Sequence, residues 1–144
     1  MTRSEMMSRI GAKDTRPELI VRSGLHRRGY RFSLHSRNLP GRPDLVLPRY
    51  RAAILVHGCF WHAHEGCPYF RVPATRTGFW TTKLMRNRDR DAEVQHALEA
   101  AGWRVLTVWE CSVRNLPVDR LIDWIILWLK SEEPMGQVSG STPV

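Results

Sequence analysis

Residues 52–67 read AAILVHGCFWHAHEGC. The run up to His57 is continuously apolar, the mark of a central strand buried on both faces. The loop that follows packs His57, Cys59, Phe60, Trp61, His62, His64 and Cys67 together. A loop so dense in thiols, imidazoles and aromatics must be held by something, and a metal ion is the simplest holder. Four residues separate Cys59 from His64, and two separate His64 from Cys67. A third thiol, Cys111, follows far downstream in VWEC. Three cysteines and one histidine can close a tetrahedral zinc site. Such a site is structural, because no coordination position is left for water. The alternative is three unrelated reduced cysteines. His57, His62, Phe60 and Trp61 are left over. Either one of the two aromatics turns into the core, or the pair forms a wedge that unstacks bases.

Upstream of this stretch, Thr15, Pro17 and Glu18 form a helix start with the spacing of a capping box. Leu19, Ile20, Val21 and Leu25 supply the buried side, and Gly29 ends the helix. Tyr30 to His35 alternates like a strand. The turn NLPGRPD then leads to Asp44 and LVLP, and residues 48–51 turn the chain into a hairpin with AAILVH. Asp44 at the strand end is either a divalent-metal ligand or a turn-capping residue.

Downstream, PYFRVPATRTGFW is a basic connector in which Arg71, Thr75 and Arg76 can contact phosphates. A helix over about 79–101 carries Leu84, Asn87, Asp91, Val94 and Leu98 at steps of three and four, all on one face. Asn87 and Asp91 on an apolar stripe need partners. Asp91 either orients a histidine or pairs with Arg86, Arg88 or Arg90. WRVLTVW is a further strand delivering Glu110 and Cys111, and a last helix runs from Pro117 to about Lys130. Residues 132–144 are expected to be a disordered tail. Residues 1–14 are either an arm reaching the phosphate backbone or a disordered basic start. The element order predicts one α/β domain over 15–131, with a mixed central sheet flanked by helices.

The chain has 144 residues and a net charge of +8, with a pI of about 10.2. That balance favours a polyanion, and nucleic acid is the usual one. The N-terminus lacks the apolar core of a signal peptide. The run LIDWIILWL is broken by Asp123 and is too short to cross a bilayer. A cytoplasmic location with no membrane partner is expected.

Taken together, TRSEMMSRI, TRPE, LPGRPDLVL, VHGCFWH, VPATRTGFW, NRDRD and GWRVLTVWEC resemble the very-short-patch repair (Vsr) endonucleases over nearly the whole chain. HGCFWH with PATRT and VWEC is highly specific as a set. The resemblance implies a fold related to restriction endonucleases of the PD-(D/E)xK type. It implies a nick 5′ of the thymine in a T:G mismatch of double-stranded DNA, the product of 5-methylcytosine deamination. By that resemblance Asp44 and the backbone carbonyl of Val56 hold magnesium, with two ions in the working complex. A threonine stands at the Val56 position in the best-known pattern, and a carbonyl ligand tolerates the change. His62 is the general base, with Glu18, His57, Asn87 and Asp91 as its support. Cys59, His64, Cys67 and Cys111 hold zinc, although the interval from Cys59 to Cys67 is one residue longer than in that pattern. Phe60 and Trp61 form the wedge, and Met7 assists from the minor groove. The nick needs only a monomer, with mismatch-repair proteins as further partners. Two rivals stand beside this reading: a restriction-type nuclease without mismatch preference, and a zinc-stabilised DNA-binding module that cuts nothing.

Overall fold

AAILVH forms the central strand of a five-stranded mixed sheet in the computed structural model, which describes residues 15–140. The expected N-terminal arm, with Met7, lies outside the described residues, as do residues 141–144. Along the chain run α1 (Arg16–Arg27), β1 (Ser33–Leu34), β2 (Leu45–Leu47), a 3-10 turn (Pro48–Tyr50) and β3 (Ala52–His57). Then come α2 (Thr77–Ala100), β4 (Arg104–Trp109), α3 (Glu110–Asn115), α4 (Val118–Lys130) and β5 (Met135–Val138). The strands lie in the order β1-β2-β3-β4-β5. The first two pairings are antiparallel, and β3–β4 and β4–β5 are parallel.

Local chemistry accounts for most boundaries. The Thr15 hydroxyl accepts from the Glu18 amide at 3.4 Å, and Gly29 takes a φ of 89° just past the end of α1. The hairpin between β2 and β3 turns at 48–51 as expected, with Arg51 at a φ of 51°. Because β3 is buried on both faces, alternate residues serve two cores. Ala52 and Ile54 join Val21, Leu25, Leu121 and Ile125 of α1 and α4. Ala53 and Leu55 join Leu98 of α2 and Val105 of β4. The predicted stripe on α2 holds, with Leu84 and Leu98 fully buried and Asn87, Asp91 and Val94 half-buried.

Three expectations need correction. The alternation over Tyr30 to His35 pairs only at Ser33–Leu34. Arg31 turns its guanidinium back onto the His26 carbonyl at 3.2 Å, and His35 leaves the ladder with a φ of 47°. Cys111 follows the strand as expected, but it sits in the first turn of a short helix, α3, that the sequence reading does not include. The tail expected to be disordered contains β5.

The ordering of β5 comes from non-local contacts. Arg104 donates to the Trp128, Leu129 and Glu133 carbonyls at 2.8, 3.1 and 2.9 Å, and its guanidinium lies 4.3 Å over the Trp128 ring. That one side chain closes the C-terminal end of α4 and aims the chain back along β4. Gly136 is required there, because a Cβ would meet the Trp128 indole at 2.5 and 2.7 Å. Val138 is then fully buried. Arg104→Ala is expected to lower stability by about 3 kcal/mol, since it deletes several charge-assisted bonds to carbonyls. Urea unfolding checks the size, and faster proteolysis within residues 131–140 checks the place. Among the described residues no helix is long and apolar enough to cross a membrane.

Candidate active site and metal centre

Two successive residues of β3, Val56 and His57, connect the two groups that can do chemistry. The Val56 amide donates to Asp44 Oδ2 at 2.7 Å. Asp44 arrives there because Gly41, at a φ of 70°, lets the LPGRP turn press against Val94 of α2, where a Cβ would collide with the valine side chain. Beside Asp44 lie Glu18 of α1 and His35, and donor atoms of all three fall within 4.8 Å of one another. His35 Nε2 is 3.0 and 2.9 Å from the two Glu18 oxygens and 4.0 Å from Asp44 Oδ1. Arg22 also binds Glu18, at 2.9 Å. Burial raises the Asp44 pKa to about 7, helped by the neighbouring Glu18 carboxylate and opposed by the Val56 amide and His35. Carboxylates so placed suit a hard divalent cation, which would replace the missing solvation.

The second group gathers where β3 runs on into the loop, around His57. Asp91 of α2 accepts from His62 Nδ1 at 2.6 Å, which leaves Nε2 as the free lone pair. The rival pairings of Asp91 with neighbouring arginines are not formed. Arg88 instead bonds Glu65 at 2.9 Å. His57 stacks on His62 at 3.8 Å and 3°. Burial drives the His57 pKa down to about 3, with His62 pushing the same way and Asp91 opposing, so His57 stays neutral. Asn87 donates to the Trp61 carbonyl at 3.1 Å, so it grips the loop backbone. A cleft of about 630 Å³ opens here, lined by His57, His62, Asp91, Trp109 and Gln137 among others.

Phe60 and Trp61 are half-buried, and neither belongs to either core cluster. Phe60 meets Trp80 at 5.6 Å and Trp61 meets it at 6.0 Å, while Phe79 packs edge-on to Trp80 at 5.4 Å. Arg76 lies 4.4 Å over Phe79, and Lys83 lies 5.9 Å over Trp61. The patch is therefore aromatic with cations on its rim. Arg71 and Arg76 are both exposed.

Cys59, His64, Cys67 and Cys111 bring one donor atom each within 4.8 Å of one another. Cys111 Sγ is 3.6 Å from His64 Nδ1, and the Cys111 amide donates to Cys59 Sγ at 3.3 Å. Between Cys59 and Cys67 the loop turns at two left-handed positions, Ala63 with a φ of 49° and Gly66 with a φ of 74°. His62 is engaged by Asp91, which leaves His64 to the thiols. Burial pushes the thiols of Cys59 and Cys111 upward, so a cation at their centre is what would keep them ionised. Three sulfurs and one imidazole fit zinc.

Several contacting residues carry no local sequence signal. His35 looks like any polar residue at a strand end, and its partner Glu18 is 17 positions away. Trp109 stacks on His64 at 3.9 Å and meets His57 edge-on at 5.4 Å. Trp80 completes the aromatic patch. Trp80 lies within VPATRTGFW and Trp109 within GWRVLTVWEC.

Comparison with known proteins places the chain among DNA-cleaving hydrolases. The family model described as DNA mismatch endonuclease Vsr matches residues 1–68. DNA mismatch endonuclease Vsr from Escherichia coli is 44% identical over 95% of this chain and 89% of its own length. Type II nicking enzyme V.XorIIP from Xanthomonas oryzae pv. oryzae is 48% identical over 79% of this chain and 83% of its own. Type II nicking enzyme V.NmeAIP from Neisseria meningitidis is 37% identical, with 82% and 84% covered. The chain belongs to the Vsr family of DNA mismatch endonucleases.

Proposed function

We propose that this protein nicks one DNA strand on the 5′ side of the thymine in a T:G mismatch, with magnesium as cofactor, and so begins repair of deaminated 5-methylcytosine. The observation that carries the reading is the His62–Asp91 pair stacked on His57 and the Asp44 carboxylate bound to the amide of Val56, the residue before it on β3. A base and a metal-binding carboxylate are thereby mounted on one rigid strand end.

Asp44 and the Val56 carbonyl would hold magnesium. Magnesium, when bound, offsets charge on the scissile phosphate and on the leaving oxygen. His62 Nε2 takes the proton of the attacking water, and Asp91 stabilises the imidazolium that results. His57 stays neutral, so no second positive charge opposes that step. The new bond joins the water oxygen to phosphorus, and the bond to the 3′ oxygen breaks. The products are a 3′-hydroxyl and a 5′-phosphate.

The Cys59–His64–Cys67–Cys111 group would hold zinc as a structural ion, fixing the loop that carries both base and wedge. Phe60 and Trp61 enter beside the mismatch from the major groove, and Met7 of the arm assists from the minor groove. Unstacking a T:G wobble costs less than unstacking a paired step, so the wedge favours mismatched sites. Arg71 and Arg76 bind phosphates.

The test is nicking of labelled duplexes that differ only in one T:G, T:A or C:G pair, with and without magnesium. Nicking of the thymine strand in the T:G duplex alone is the expected result. Equal cutting of all three duplexes overturns the mismatch reading. Intact binding without nicking of any duplex overturns the assignment as an enzyme.

A further inference from the structure

We propose that the C-terminal segment is an outer support of the metal cage, acting through Gly140 on Cys111 and through Gln137 on Trp109. The inference rests on the reading of Cys59, His64, Cys67 and Cys111 as metal ligands and adds residues outside that set.

The register of the sheet delivers the segment to the cage. Strand β5 runs parallel to β4 and pairs Val138 with Val108. Each chain then continues past its strand end at the same level. One reaches Cys111 and the other reaches Gly140. There the Gly140 amide donates to Cys111 Sγ at 3.2 Å. An N–H aimed at sulfur is strong when the sulfur is a thiolate, because the bond is then charge-assisted. Glycine eases this approach, and an added Cβ asks only for a swing of the Asn115 side chain and a shift of a few tenths of an ångström. A Cβ on Gly140 would lie 2.6 Å from Asn115 Nδ2 and 3.1 Å from the Cys111 carbonyl oxygen.

Gln137 provides the second contact. Its side-chain oxygen accepts from Trp109 Nε1 at 2.9 Å. Trp109 is stacked flat on His64, with ring centroids 3.9 Å apart and planes at 5°. The imidazole offered to the cage is thus backed by an indole whose orientation the tail sets. Groups that orient ligands from outside typically change metal affinity about 10- to 100-fold when removed. A strand that only packs would change unfolding and leave metal release at low temperature untouched.

The experiment measures zinc release from the full-length protein to a chromophoric chelator at 25 °C, with circular dichroism confirming that each chain stays folded. Gly140→Pro lacks the N–H, and Gly140→Ala keeps it while adding a Cβ, so their difference reports the hydrogen bond together with the fixed φ of proline, which an unchanged Trp109 fluorescence separates from a displaced segment. Gln137→Leu removes the acceptor, and Gln137→Glu keeps one. Release about ten-fold faster from Gly140→Pro than from Gly140→Ala is expected. Release from Gln137→Leu is expected to be faster than from wild type, with Gln137→Glu restoring the slow rate. Equal rates from the two Gly140 variants overturn the Cys111 contact as a support. Equal rates from the two Gln137 variants overturn the Trp109 contact. A wild-type chain that holds no zinc and takes up none overturns the reading of the cage, and this inference with it.

Discussion

Asp44→Asn is expected to abolish nicking, by at least about three decades, while DNA binding persists. The side chain keeps its shape and still accepts from the Val56 amide, now through an amide oxygen. What it loses is the negative charge that would hold magnesium. Metal ions contribute several kcal/mol to stabilising charge in phosphodiester cleavage, and each 1.36 kcal/mol is about one decade in rate. The checks are single-turnover nicking and a gel-shift titration on the same T:G duplex. Nicking within about ten-fold of wild type would remove Asp44 from the proposed mechanism.

The same substitution has a second, opposite effect on the metal-free fold. Burial lifts the Asp44 pKa from 3.8 to about 7. Between those two pH values the folded chain keeps a proton that the unfolded chain has lost. Stability therefore falls as pH rises through that window, and the ionised carboxylate burdens the fold above it. The interval caps the burden at about 4 kcal/mol. Asparagine carries no such charge, so Asp44→Asn is expected to raise the unfolding midpoint at pH 8 in magnesium-free buffer. The gain shrinks as pH falls toward 4. Loss of activity joined to a gain in stability is what a site strained for function predicts. A variant less stable than wild type at pH 8 would refute this account of the carboxylate.

These two effects depend on features that differ in how visible they are from residues alone. The α2 stripe was legible because a helical period places Leu84, Asn87, Asp91, Val94 and Leu98 on one face whatever surrounds them. Asn87 and Asp91 stood out there as polar groups that burial would penalise. The cysteines and His64 were legible as a group because short ligand spacings carry their own geometry. His35 was not legible, since its place beside Asp44 depends on a positive φ and on Glu18 from another element. Strand β5 was hidden for a related reason. MGQV has no alternation or β-branched run, and it is extended because β4 offers a free edge and Arg104 steers the chain onto it. Interactions that cross the chain leave no local pattern to read.

Removing one of the proposed zinc ligands tests the other half of the site, and Cys111→Ser is expected to have the larger effect of the two ends of the cage. Cys111 is buried on α3, whereas Cys67 is half-exposed within the loop itself. Losing Cys67 opens a local turn. Losing the Cys111 thiol removes the donor that ties the loop to α3 and leaves His64 without that neighbour, while the Cys111 amide can still donate to Cys59 Sγ. Structural zinc contributes about 10–16 kcal/mol of binding free energy in small peptides, much of it used to order the chain. The sheet here has its own core, and no ligand other than Cys111 lies on a regular element, so global unfolding is not the expectation. A loss of about 3–5 kcal/mol in urea unfolding is expected instead, with zinc absent from the purified variant. Nicking should fall with it, because Phe60, Trp61 and His62 all ride on the freed loop. Far-UV circular dichroism should stay near that of wild type, which separates a melted loop from a melted domain. A zinc-free Cys111→Ser chain with full stability and full mismatch nicking would mean that packing alone holds the loop, through the Trp61–Trp80 contact and the Asn87 hydrogen bond.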